Sequence, residues 1–159
     1  MTWNMRTMKA GFVGFGEVNT PREFIDPRCA TAAGWLREQG VELTIADPVS
    51  DDPAGEQADR AAGQLAAGDW DVLVVCIAGW IPAWAVLRTI QRFRHKPMVL
   101  WGLSGWQDGK RFVTTADQAG STGLRQPLAE LGYNFTYIVN RMNEPPQVER
   151  VVTAIRAAA

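Results

Sequence analysis

The chain is poor in the side chains that build metal and acid–base sites, with a single histidine, His95, and only two cysteines, Cys29 and Cys76. One cysteine falls in a loop region and the other inside an apolar run. They make neither a disulfide framework nor metal-site spacing, which fits a reducing cytoplasm. Charge of one sign is also missing. Sixteen Lys and Arg against 17 Asp and Glu leave a formal charge of -1, interspersed without a basic stripe, so the electrostatic footprint of a nucleic-acid binder is absent. No apolar run approaches the about 18 residues of a membrane span, and the first nine residues carry no charged stretch leading into a signal-peptide core. Neither export nor a membrane span is expected.

What remains is a chain of 159 residues, 47% of them hydrophobic, which is enough for one domain with a real core. Three apolar runs, Phe12–Phe15, Val72–Ile77 and Met98–Trp101, are continuous rather than alternating. That pattern suits strands buried on both faces of a helix-covered parallel sheet. Strand and helix signals then alternate along the chain. Ala10–Phe15, Val41–Ala46, Val72–Ile77, Met98–Trp101 and Phe135–Val139 read as strands. Ala30–Gln39, Pro53–Ala67, Ala83–Phe93, Ser121–Leu131 and Gln147–Ala159 read as helices, with Gly40 and Gly132 as stops. The expected fold is α/β, a doubly wound three-layer sandwich around a mostly parallel five-stranded sheet of flavodoxin or Rossmann type, with Val72–Ile77 central. Residues 1–142 would form this domain, and 143–159 a connector helix whose Ala-rich tail has no stop signal.

Such sheets bind ligands beyond the carboxyl ends of their strands, which points to the loops Gly16–Cys29, Ala78–Trp84 and Gly102–Lys110. The glycines of Gly11-Phe12-Val13-Gly14-Phe15-Gly16 invite a dinucleotide reading. They lie within the strand, however, and the loop that follows reads as too long for pyrophosphate to rest on a helix start, which argues against NAD. No Walker phosphate loop is present. His95, in the basic stretch 92–96, reads as a solvated surface residue. Asp47, Asp71 and Asp108 lie near strand ends, where turn or cap roles are commoner than metal ligation. Ser104, Ser121 and Thr122 have no base nearby in sequence; Ser121 reads as a helix N-cap, and the amides of 120–123 offer donors to an anion or a hydroxyl. No residue is assigned a catalytic role.

The tryptophans say more. Trp80, Trp84, Trp101 and Trp106 gather after the third and fourth strands. Trp101 falls within a strand and belongs to the core, whereas Trp80 and Trp106 follow Gly79 and Gly105, where an indole can stack on the apolar face of a sugar.

Three segments taken together carry a resemblance: Cys76-Ile77-Ala78-Gly79-Trp80, Met98-Val99-Leu100-Trp101-Gly102, and Ala119-Gly120-Ser121-Thr122-Gly123-Leu124-Arg125-Gln126-Pro127-Leu128 with Leu131-Gly132-Tyr133 beyond it. In this order and spacing the chain resembles the first N-terminal domain of the L-fucose and L-arabinose isomerase family, over residues 10–140. The resemblance implies a cytoplasmic aldose–ketose isomerase in which other domains carry manganese (Mn2+) and the acid–base carboxylates. No cofactor is expected in this chain. The first domain of such enzymes packs on a neighbouring subunit and offers it an arginine and a tryptophan. The matching positions are Trp80 and, in a first loop that departs from the family's, Arg22; Trp106 is a further substrate-contact candidate. Expected partners are therefore a sugar substrate and either self-association or the missing catalytic domains. A free-standing flavodoxin-like binding or signalling module is the alternative, and a small hydrolase-like site using Asp47 or Asp108 is a third reading.

Overall fold

The architecture is that of a computed structural model, which describes residues 7–159. Seven strands and five helices follow one another as β1 (Lys9–Phe15), α1 (Arg22–Glu38), β2 (Glu42–Ile45), α2 (Glu56–Ala66), β3 (Val72–Ile77), α3 (Ala83–Ile90) with a 3-10 turn at Gln91–Phe93, β4 (Met98–Gly102), β5 (Trp106–Asp108), β6 (Arg111–Val113), α4 (Asp117–Glu130), β7 (Phe135–Val139) and α5 (Val148–Ala158). Five strands form one sheet in the order β2-β1-β3-β4-β7, and each of its pairings is parallel. The fold is thus the expected doubly wound α/β sandwich, with β3 in the middle.

Alternation along each strand sorts the core into two layers. Val13, Phe15, Val75, Ile77 and Leu100 face α2, α3 and α4, where Ala61, Leu65, Val86, Ile90, Leu124 and Leu128 cover them. Phe12, Val74, Cys76, Val99, Trp101 and Ile138 face α1 and α5, which supply Ile25, Cys29, Ala32, Leu36, Val151 and Ile155. β3 is buried at every position, which is why it reads as an unbroken apolar run. The strands finish level: Phe15 pairs with Ile77, Ile77 with Gly102 and Gly102 with Val139. The connections that follow therefore share one rim.

Three local expectations are corrected. The segment expected to be a loop as far as Cys29 is already helical from Arg22, with Pro27 inside the helix. Pro27 removes one N–H and disfavours a helix interior, but Ile25, Cys29, Ala32, Ala33 and Leu36 are all buried on one face, and that burial outweighs it. The first loop is short after all, so its length is no longer an argument about NAD; Gly11 and Gly14 do lie inside β1, whereas Gly16 falls just past its end at Phe15. Gly14 is required by packing, because a Cβ there would meet Cys29 Cβ at 2.9 Å.

The second correction concerns α4, which begins at Asp117 rather than Ser121. Ser121 is no N-cap: it is buried in the helix, its hydroxyl 3.2 Å from the Gln118 carbonyl and 3.2 Å from the Tyr137 hydroxyl. The amides of 120–123 lie in helical turns and not at a free helix start. A Cβ on Gly120 would stand 3.1 Å from Trp80 Cα and 3.2 Å from the Gly79 carbonyl oxygen, so this glycine lets α4 close against the loop after β3. Third, the stretch expected as the loop 102–110 holds a two-stranded hairpin, with Trp106 opposite Val113 and Asp108 opposite Arg111.

Candidate functional site

The strand order reverses between β1 and β3, and in open α/β sheets the crevice for ligands lies outside the carboxyl ends at that reversal. Here the rim is laced by main-chain hydrogen bonds. Gly16 N–H donates to the Val49 carbonyl at 3.1 Å, Glu17 N–H to the Trp80 carbonyl at 2.7 Å, and Trp80 N–H to the Thr115 carbonyl at 2.7 Å. The Thr115 hydroxyl donates to the Ala78 carbonyl at 2.6 Å. The peptide groups of Trp80 are thus committed on both sides, and the residue is left 39% exposed. Trp84, in the first turn of α3, is likewise exposed.

Arg22 borders the same first loop from the β2 side. Its guanidinium donates to the Pro48 carbonyl at 3.3 and 3.4 Å and pairs with Asp26 at 3.0 Å, one turn along α1. The first loop therefore stands between Arg22 and Trp80.

Trp106 stands elsewhere. Its ring lies 4.8 Å from the Arg28 guanidinium and 5.9 Å from the Phe24 ring. Arg28 Nη2 in turn donates to the Ser104 carbonyl and to Asp117 Oδ2, both at 2.5 Å. Asp117 is fully buried. Burial pushes its carboxyl up to about 6 although the Arg28 charge and the Gln118 amide pull the other way. For Arg28, burial lowers the pKa and the Asp117 charge opposes it. This pair escapes a reading of motifs because its members are 89 positions apart. A signal did exist: Arg28 falls on the Ile25–Ala32 stripe of α1, where a charge demands a partner.

Arg28 also lines a cleft of about 310 Å3 together with Thr31, Trp35, Trp106, Asn140 and Glu144. Asn140 is buried, and its Oδ1 accepts from Trp101 Nε1 at 2.9 Å and from the Gln147 amide at 3.0 Å. Neither Asn140 nor Trp35 carried a functional signal in the sequence.

The carboxylates do not converge. Asp47 is exposed and held by Gln64, at 2.8 and 3.0 Å, and by Arg60 at 3.5 Å; Asp108 sits exposed in the hairpin. His95 is exposed, as expected. Among the described residues no three His, Cys, Asp or Glu side chains are grouped so as to hold a metal ion, and no helix is long and apolar enough to cross a membrane. Compared with protein-family models and with curated protein sequences, the chain gives no match.

Proposed function

We propose that this chain is the substrate-recognition domain of an aldose–ketose isomerase of the L-fucose or L-arabinose type, contributing sugar contacts rather than the reacting groups. The observation that carries the reading is an exposed tryptophan, Trp80, at the reversal point of the sheet, its main chain fixed there by the Glu17 and Thr115 hydrogen bonds. An indole held with its peptide groups already satisfied has a free apolar face for the C–H face of a sugar at little ordering cost. Arg22, on the other side of the first loop, supplies fixed donors suited to sugar hydroxyls.

The reaction of such an isomerase moves a proton between C1 and C2 of an open-chain sugar, with a metal polarising both oxygens. The described residues here do not fit that metal. In this reading the manganese and the acid–base carboxylates come from partner domains, in the cytoplasm, and the exposed Val18, Trp80 and Trp84 lie toward them.

Tryptophan fluorescence titration with L-fucose, L-arabinose and their alditols tests the reading. A saturable change, abolished in Trp80→Ala and weakened in Arg22→Ala, is expected; no saturable change with any of these ligands overturns it. The β2-β1-β3-β4-β7 order also suits a free-standing flavodoxin-like module. Binding of FMN in place of sugar would favour that second reading.

A further inference from the structure

The cleft under Trp106 has the makings of a site of its own. It lies between α1, the loop after β4 and the loop after β7, walled by the indoles of Trp35 and Trp106. Its volume of about 310 Å3 is at the small end for ligand sites, which limits an occupant to about one ring.

Its polar groups are few and their orientation is fixed. Asn140 Oδ1 takes hydrogen bonds from two groups that can only donate, the Trp101 indole and the Gln147 amide, so the identity of that oxygen is settled by chemistry. The Nδ2 of Asn140 is left with no acceptor among the described residues, on a side chain that lines the cleft. Arg28 spends Nη2 on Ser104 and Asp117, and its Nε is buried with no hydrogen-bond partner among the described residues. Two residues that line the cleft thus carry donors that lack partners among the described residues, between two aromatic walls.

Charge narrows the class of occupant. Arg28 is already compensated by Asp117, and Glu144 adds a negative charge to the lining, so nothing here favours an anion. A cation finds Glu144 already ion-paired with Arg141 at 3.8 Å. We propose that this cleft binds a neutral, planar, single-ring molecule bearing a carbonyl or ring-nitrogen acceptor, with the ring against the indoles of Trp35 and Trp106 and the acceptor on Asn140 Nδ2. Trp80 does not line this cleft, and the site does not rest on the sugar reading.

Nicotinamide, a neutral heteroaromatic amide of this size, is the probe. Titrated into the whole chain and followed through the assigned indole N–H signals in two-dimensional NMR, it should shift Trp35 and Trp106 saturably in the millimolar range. Thr31→Trp, on an exposed position of α1 that lines the cleft, should fill the space and weaken binding at least ~10-fold. Trp80→Ala should leave the affinity unchanged, so that loss of sugar binding and loss of ring binding are separable. No saturable shift overturns the proposal, as does a response indifferent to Thr31→Trp. Methyl α-glucoside binding the cleft as well as nicotinamide does would overturn the requirement for a planar ring.

Discussion

Trp80 and Trp106 occupy equivalent positions in sequence, each just after a glycine beyond a strand, yet they meet opposite fates. At Trp80 the backbone is tied on both sides and the indole is left outside. At Trp106 the indole is taken up by Arg28 and Phe24, above a carboxylate with no exposure at all. What separates them is the presence of a charge below. Taking the Arg28 charge out of water is costly, and the hairpin offsets part of that cost by laying Trp106 over the guanidinium. Trp80 has no such cation or ring contact among the described residues, and its side chain stays exposed.

The contrast is most severely tested at Arg28. Replacing it in Arg28→Met strands the Asp117 carboxylate in the core, and urea unfolding at neutral pH should show a loss of ~3–5 kcal/mol. A loss below ~1 kcal/mol would remove the ion pair as the reason the two tryptophans differ.

Titration sharpens the same point. The folded Asp117 carboxyl is raised to about 6, chiefly by burial, against 3.8 for the ordinary group. Between these values the folded chain holds the proton that the unfolded chain has released. The stability contributed by this group is therefore full below the lower value and is lost as pH rises through the upper one, by at most ~3 kcal/mol. Chemical unfolding between pH 4 and 7 should show this decline in the wild type, with Asp117→Asn lacking it.

Smaller effects follow at the indoles themselves. Trp106→Ala gives up the guanidinium and Phe24 contacts, and its midpoint in urea should fall by the equivalent of ~1–2 kcal/mol. Trp80→Ala should stay within ~0.5 kcal/mol of the wild type, while losing the fluorescence response to sugar. Equal destabilisation by the two substitutions would mean that Trp80 is as much a packing residue as Trp106.

The strands were legible because their signals are local. Val72–Ile77 and Phe135–Val139 have the ends expected of them, since each apolar run is bounded by polar or turn residues. Helix starts were less so. Pro21 and Pro27 argue locally for a loop, and only the burial of Ile25 and Cys29 against the sheet reverses that preference. In α4, Gly120 and Gly123 weaken the local helix signal, while the need for Gly120 comes from the neighbouring β3 loop. The hairpin could have been read, because Asp108 leads into the two-residue turn Gly109-Lys110 with Gly109 at φ 57°, and such a glycine is the mark of that turn. Trp80 and Trp106 were visible as residues beyond strand ends, but what lies under each was not. The Arg28–Asp117 pair and the Asn140 bonds that shape the cleft join segments distant in the chain.

The lacing of the rim has a consequence for motion. Amides in loops usually exchange with solvent quickly, because local opening there costs little. The amides of Glu17 and Trp80 are bonded across loops that follow different strands, so neither can open without parting two connections at once. Their hydrogens should exchange on the timescale of β1 and β3 rather than that of Asp108 in the hairpin. The first loop, the loop after β3 and the residues just before α4 are joined in series by these main-chain bonds.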